Sequence, residues 1–168
     1  MNISYRKATT NDLNEILAIY NCIIAEGGYT ADLDPYTIID KRNWFEKVNK
    51  YPYGIFVVEE NNVIIGYFYL SPWREGRNAL NRVVEISYYL GKSYRGNQIG
   101  VRMVQWCIDE AKKQKFQFIL AILLDINKRS ESLLQRFGFR VEGRLKGIAN
   151  VKGKICGQLI MLKKINSN

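Results

Sequence analysis

A basic, glycine-bearing turn is the part of this chain best suited to hold an anion. The turn covers residues 94–100, with the sequence YRGNQIG, and an amphipathic stretch follows it. If a helix begins there, its first backbone N–H groups have no partner inside the helix and lie at the positive end of the helix dipole. A phosphate would bind at this point, beside Arg95. The alternative is an ordinary strand-to-helix connection in which Gly96 only reverses the chain.

Glu85 is the candidate acid–base group. It lies within residues 83–90 (VVEISYYL), whose apolar character predicts a strand, and alternation places it on one face with the other odd-numbered positions. Apolar neighbours raise the pKa of a carboxyl group, which prepares it to take a proton near neutral pH. The alternative is a buried glutamate that pairs with Arg74, Arg77 or Arg82 for structural reasons.

A second motif lies within residues 127–139, NKRSESLLQRFGF. Asn127 can cap a helix, and Gly138 suits the left-handed position just after the end of that helix. Capping alone explains both residues, so this segment by itself does not indicate a function.

The composition limits the chemistry that is available. The chain has 168 residues, of which 47% are hydrophobic and 24% charged, so we expect one domain over residues 1–168 with a full core. There is no histidine, which removes Ser-His and Cys-His nucleophilic systems. The cysteines are three in number and widely separated, with no C-x-x-C motif, so we expect neither disulfides nor a metal site.

The net charge of +9 has two interpretations, a solvated basic surface or a polyanionic partner. The longest clean apolar run, residues 118–124, is far shorter than the roughly 20 residues that a membrane helix needs. The N-terminus has no apolar signal-peptide core. We therefore expect a cytoplasmic protein that does not enter a membrane.

Apolar periodicity predicts the elements that must position these residues. The predicted strands are residues 3–7, 55–59, 63–70, 83–90, 116–124, 139–144 and 156–163. The predicted helices begin at a cap on Thr10, at Pro35, after Gly100 and at Asn127. This order predicts an α/β (α+β) three-layer sandwich. Its central sheet is mixed and mostly antiparallel, with one parallel pair beside the helix that follows Gly100.

The turn, the apolar strand after it and the capped helix ending in Gly-Phe together resemble the GNAT superfamily of acetyl-CoA-dependent N-acetyltransferases. Further segments resemble its phosphinothricin acetyltransferase-like branch and cover most of the chain. These are IYN at 19–21, Trp44, YP at 51–52, GY at 66–67, SPWR at 71–74, EIS at 85–87, EG at 142–143 and GK at 153–154. The resemblance lies in the joint order of these segments.

The resemblance implies acetyl-CoA as the cofactor and a cleft between two splayed strands. Residues 95–100 would wrap the pyrophosphate, residues 87–90 would pair with the pantetheine arm, and Asn127 would hydrogen-bond that arm. The implied cofactor-binding residues are Ser87, Tyr88, Tyr89, Leu90, Arg95, Gly96, Asn97, Gln98, Ile99, Gly100, Asn127 and Ser130.

Two positions depart from the family pattern. Gln98 replaces a glycine, and the phosphate site survives this change if the residue needs no positive φ. Leu134 replaces the Tyr or His that serves as the acid for the leaving thiol. A thiol has a pKa of about 8.5, so the thiolate can leave unaided. Alternatively, Tyr88 or Tyr89 donates the proton, or activity is slow or absent.

The implied reaction is direct attack of a primary amine on the thioester in a ternary complex, with Glu85 as the base. Backbone N–H groups near Tyr89 and Leu90 would stabilise the oxyanion.

The branch acts on small amino acids or their analogues and is often homodimeric. The candidate amine-site residues are Tyr29, Thr30, Trp73, Arg74 and Arg77, with an arginine for a substrate carboxylate. The alternative is that Trp73 packs and the arginines are solvated.

Three other functions compete with this interpretation. A basic surface also suits acetylation of a ribosomal or other protein amine. Leu134 favours a catalytically weak module that only binds acetyl-CoA. A nucleic-acid-binding protein would need a recognition helix or a basic-aromatic strand platform, and the sequence has neither, so we expect no nucleic-acid partner.

Overall fold

The structure is a computed structural model that describes residues 3–165. The strands are β1 (Ile3–Lys7), β2 (Gly54–Glu60), β3 (Val63–Pro72), β4 (Val83–Leu90), β5 (Phe118–Leu124), β6 (Arg140–Val151) and β7 (Lys154–Lys164). The helices are α1 (Leu13–Glu26), α2 (Ile38–Val48), α3 (Ile99–Lys113) and α4 (Lys128–Arg136). Strands and helices follow one another in the predicted order.

The strands form one seven-stranded sheet in the order β1-β2-β3-β4-β5-β7-β6. Every neighbouring pair is antiparallel except β4 and β5, which flank α3. One face of the sheet packs against the apolar sides of α1 and α2, and the other packs against α3 and Leu134 of α4. The predicted three-layer sandwich with a mixed, mostly antiparallel sheet is therefore confirmed.

The sheet opens in its middle. β4 and β5 pair only over residues 83–85 and 118–120, although β4 continues to Leu90 and β5 to Leu124. Beyond Glu85 the two strands separate into a wedge, and the β5-facing edge of β4 has no strand partner there. The predicted splay is thus present, and Glu85 stands at its vertex.

Gly66 allows β3 and β4 to approach closely along one wall of the wedge. It lies opposite Leu90 in the sheet, and a Cβ atom at this position would stand 2.7 Å from the Tyr89 carbonyl oxygen. Any larger residue would push β4 away from β3. The position of the cleft wall therefore depends on this glycine.

Several predicted boundaries differ from the structure. α2 begins at Ile38 rather than at Pro35, because Thr37 and Asp40 form a capping box in which the Asp40 carboxylate accepts from the Thr37 N–H at 2.7 Å. Thr10 is not the cap of α1, since the Thr9 N–H donates to the Asp12 carboxylate and a short 3-10 turn precedes the helix. None of the helices within residues 3–165 has the length and apolar character required to cross a bilayer.

Candidate active site

A cavity of about 110 Å³ occupies the wedge between β4, the turn before α3, and α4. Its lining includes seven of the predicted cofactor-binding residues, namely Tyr88, Tyr89, Leu90, Arg95, Gly100, Asn127 and Ser130. Tyr29, which we expected at the amine site, lines this same cavity. Residues far apart in sequence thus meet at the place where the sheet opens, and we call this cavity the cofactor cleft.

The turn before α3 carries a run of free backbone donors. Among residues 3–165, the N–H groups of residues 96–101 find no protein acceptor, and the first backbone bond of the helix runs from the Arg102 N–H to the Gln98 carbonyl at 3.2 Å. These donors lie at the positive end of a 15-residue helix. This arrangement fits a pyrophosphate, as the resemblance implied.

Gln98 occupies the left-handed region, with φ 58° and ψ 5°. We expected the phosphate site to tolerate Gln98 if this residue needs no positive φ, but its φ is positive. A non-glycine residue bears a cost of roughly 1–2 kcal/mol in that conformation. Gln98 nevertheless keeps its N–H group, so the run of donors is complete.

Arg95 is bound to α1. Its guanidinium forms two hydrogen bonds to the Glu26 carboxylate, at 2.8 and 2.9 Å, and its Nε donates to the Leu90 carbonyl at 3.1 Å. It also lies 4.8 Å from the centre of the Tyr29 ring. Because Glu26 balances its charge, Arg95 ties the turn to the end of α1 and does not offer a free cation.

Two arginines that we had not singled out supply positive charge beside the turn. Arg129 and Arg136 line a cavity of about 340 Å³ together with Gly96, Gln98 and Gly100. Both belong to α4, and their helical spacing is visible in the sequence. The charged face of an ordinary surface helix has the same spacing, so this spacing alone did not identify the two arginines as part of the site.

The far wall of the cofactor cleft is held by hydrogen bonds. The Tyr88 hydroxyl and the Ser130 hydroxyl are 2.5 Å apart, which links β4 to α4 across the opening. The Asn127 side-chain oxygen accepts from the Ser130 N–H at 3.2 Å and caps α4, as the sequence predicted. The bond between Tyr88 and Ser130 therefore restrains the width of the cleft, and the Asn127 cap fixes the start of α4 beside it.

Glu85 is half-buried at the vertex of the wedge, opposite Ser71 of β3 and Leu120 of β5. Burial raises the pKa of its carboxyl group to about 7. Within residues 3–165 it forms no ion pair, and Arg82 bonds to Gln117 instead. A structural pairing with an arginine therefore does not account for this residue.

Leu134 is only 1% exposed and packs into the core between the sheet and α3. No proton donor stands at this position. Burial raises the pKa of the Tyr88 and Tyr89 hydroxyls above their usual range, so both stay protonated. Of these two, Tyr88 bonds to Ser130, and Tyr89 packs among other tyrosines.

The other candidate amine-site residues do not form one cluster. The Thr30 hydroxyl bonds to the Tyr20 hydroxyl at 2.9 Å. Arg74 is exposed and lines a cavity of about 440 Å³ with Trp44 and Tyr69, while Arg77 is exposed in the following turn. Trp73 is half-buried.

An aromatic surface that the sequence did not reveal covers the same face of the sheet as Glu85. It consists of Tyr20, Tyr36, Trp44, Tyr67, Tyr69 and Tyr89. Lys41 of α2 points into it. Helical periodicity places Tyr20 and Trp44 on the inner sides of their helices, but it does not show that they meet the tyrosines of β3 and β4.

Comparison with known proteins agrees with this geometry. Residues 16–139 match the Acetyltransferase (GNAT) family. YwnH of Bacillus subtilis is 31% identical over 152 residues, which cover 90% of this chain and 93% of that protein. An L-methionine sulfoximine/L-methionine sulfone acetyltransferase of Pseudomonas aeruginosa is 28% identical over 155 residues, which cover 92% and 90%.

Among solved structures, a phosphinothricin acetyltransferase from Sinorhizobium meliloti in complex with AcCoA superposes with a TM-score of 0.93. It is 25% identical, and the match covers 99% of this chain and 90% of that one. The chain belongs to the GNAT family, in its phosphinothricin acetyltransferase-like branch, and is an N-acetyltransferase that uses acetyl-CoA.

Proposed function

We propose that this enzyme acetylates the primary amine of a small amino acid or amino-acid analogue by direct attack in a ternary complex. The observation that carries this proposal is the position of Glu85, a carboxyl group with a pKa of about 7 at the vertex of the wedge between β4 and β5. The methionine sulfone and phosphinothricin acetyltransferases among its relatives support the class of substrate.

In this proposal, bound acetyl-CoA supplies an acetyl thioester, and the chain's own groups prepare the amine and the carbonyl. Glu85 accepts a proton from the ammonium group, directly or through a water, since an amine attacks only in its neutral form. The unpaired edge of β4 offers the backbone N–H of Leu90 for the developing oxyanion, whereas the N–H of Tyr89 points toward β3. The free N–H groups of residues 96–101 hold the pyrophosphate.

The leaving thiolate departs without an acid at position 134, because the pKa of a thiol is low enough for it to leave as an anion. Tyr88 is the second candidate for this step, since its hydroxyl lines the cofactor cleft. Its raised pKa makes it a weak acid and places it behind the unaided route.

Four further proposals complete the assignment. Residues 1–168 act as one catalytic domain. Ser87, Asn97 and Ile99 belong to the cofactor site with the residues that line the cleft. Tyr29, Thr30, Trp73, Arg74 and Arg77 stay the candidates for contacts to the acceptor, each from its own place, since they do not form one cluster. The enzyme works as a homodimer. Its cytoplasmic location stays a prediction of the sequence.

A calorimetric titration with acetyl-CoA, followed by a thiol-release assay over a panel of amines, tests the function. The panel contains L-methionine sulfone, L-methionine sulfoximine, phosphinothricin and short peptides with free N-termini. We expect acetyl-CoA to bind and the amino-acid analogues to turn over faster than the peptides. Faster turnover of peptides would indicate a protein acetyltransferase, and binding without turnover would indicate a module that only binds acetyl-CoA.

A further inference from the structure

We propose that Lys41 binds the carboxylate of the acceptor, which makes free α-amino acids, and not peptides or simple amines, the substrate class of this enzyme. This inference rests on the proposed function. It assigns a specificity-determining role to a residue outside both motifs that the sequence analysis identified.

The Lys41 ammonium lies in a cage of three aromatic rings. Its Nζ atom is 3.7 Å from the centre of the Tyr36 ring, 5.0 Å from that of Tyr20 and 5.3 Å from that of Trp44. The face of an aromatic ring attracts a cation but leaves its N–H donors without acceptors. The cage thus fixes the ammonium in place while its hydrogen bonds stay available.

No carboxylate among residues 3–165 forms an ion pair with Lys41, and its nearest acidic neighbours are engaged elsewhere. Asp40 accepts from the Thr37 N–H and hydroxyl at 2.7 and 2.6 Å, and Asp32 accepts from the Tyr20 hydroxyl at 2.6 Å. Lys47 of the same helix is exposed and pairs with Glu75 at 2.6 Å. Burial lowers the pKa of Lys41, and the nearby charges of Asp32 and Asp40 oppose this shift without forming an ion pair with the ammonium.

The cage is continuous with the sheet face that carries Glu85. Trp44 packs on Tyr69, with ring centres 5.3 Å apart, and Tyr69 lies opposite Ser87 in the sheet. Tyr20 packs on Tyr89 at 4.9 Å. A small cavity between α1, α2 and β3 brings together Lys41, Tyr20, Trp44 and Tyr69.

An amino acid with its carboxylate at Lys41 would have its apolar side chain against these aromatic rings and would lie on the same face of the sheet as Glu85. A peptide N-terminus has an amide where the free amino acid has its carboxylate. It leaves the ammonium of Lys41 without a counter-ion, and this selects against peptides.

The test compares L-methionine sulfone with its C-terminal amide as acceptors for wild type and for Lys41→Met. We expect the KM of the acid to rise about 10- to 100-fold in Lys41→Met, with kcat within about threefold, while the KM of the amide stays unchanged. Lys47→Met, a matched change on the same helix, should alter neither value. Lys41→Arg should recover most of the affinity for the acid, and it serves as the second variant if Lys41→Met unfolds.

Calorimetric binding of the acid and the amide to the enzyme–CoA complex gives a readout that does not need turnover. Tighter binding of the acid by wild type, lost in Lys41→Met, supports the inference. Equal effects on acid and amide, or an acid-selective loss in Arg74→Met alone, would overturn it. Binding of neither compound would also overturn it, whereas failure of acetyl-CoA to bind would instead contradict the proposed function.

Discussion

The environment of Glu85 sets the pKa of its carboxyl group and so its ability to act as a base. An exposed glutamate has a pKa near 4.3 and is a poor base at neutral pH. At the vertex of the wedge, burial raises this pKa to about 7, and no arginine within residues 3–165 counteracts that shift. The acid side of the reaction has no comparable group, since Leu134 is buried in the core.

We expect kcat/KM to rise with pH through a midpoint of about 7, because Glu85 of the free enzyme accepts a proton only when ionised. Glu85→Gln should remove this rise and lower kcat by roughly 10²- to 10⁴-fold, with little change in acetyl-CoA affinity. Glu75→Gln, an exposed glutamate, is the control for loss of a charge. A pH profile of Glu85→Gln that matches wild type would exclude the residue from proton transfer.

Gln98 permits a separate test of the anion site. Gln98→Gly keeps the N–H group and removes the energetic cost of the positive φ. We therefore expect acetyl-CoA affinity within about threefold of wild type and a stability gain of up to about 1 kcal/mol. Gln98→Pro removes the N–H group and fixes φ near −65°, so affinity should fall at least tenfold. Calorimetric titration measures both, and wild-type affinity in Gln98→Pro would argue against a backbone cradle.

At the scale of elements, Arg6 joins β1 to the start of α1. It forms two hydrogen bonds to Asp12, both at 2.8 Å, and a third to Glu59 of β2 at 2.9 Å. These bonds to Arg6 lower the pKa of the Asp12 carboxyl to about 2. The pair therefore fixes the helix whose other end Arg95 holds through Glu26.

Because its folded-state pKa is depressed, Asp12 contributes its full stabilisation above about pH 4, and this contribution is lost as the pH falls toward 2. Asp12→Asn should lower the free energy of unfolding by about 2 kcal/mol at pH 7 and flatten its dependence on pH between 4 and 2. Urea unfolding at several pH values measures this effect, with exposed Asp34→Asn as the control. An equal loss in both variants would contradict the assignment.

Sequence patterns predicted the helices and strands that bury one face in the core. They failed for an element that buries neither face. Periodicity located α1 and α3 because each buries a full apolar stripe. β6 is 12 residues long, yet only its first five residues were predicted, since it is an exposed edge strand without alternation. The start of α2 was assigned to Pro35, although the Thr37–Asp40 capping box was visible in the sequence.

The residues of the candidate site also fall into a group that the sequence predicts and a group that it does not. The cofactor residues are predictable because they follow one another along β4 and the turn, as local sequence. The cage around Lys41 draws Tyr20 from α1, Tyr36 from the loop before α2 and Trp44 from α2. No local pattern encodes such a meeting, which depends on how the helices pack on the sheet.

At the scale of the whole molecule, the β6–β7 hairpin leaves apolar side chains exposed. Leu145, Ile148 and Ile155 are 44%, 59% and 62% exposed. Such a patch on an edge strand is suited to a second copy of the chain, in keeping with the proposed homodimer. It lies at the opposite end of the sheet from β1.

We expect wild type to have twice the mass of one chain by size-exclusion chromatography with light scattering. The double variant Ile148→Lys and Ile155→Lys should be monomeric, because it buries charge at the interface. Val63→Lys, an exposed change on β3, is the control. A monomeric wild type, or a variant that remains dimeric, would rule out this interface.

The short seam between β4 and β5 has a consequence beyond the reaction. Only residues 83–85 of β4 pair with β5, so the rest of this edge gains partners only when a ligand lies against it. Ligand at 100 times its dissociation constant adds about 2.7 kcal/mol to folding. Bound acetyl-CoA therefore shifts the folding equilibrium toward the native state, and we expect the melting temperature to rise with the concentration of acetyl-CoA.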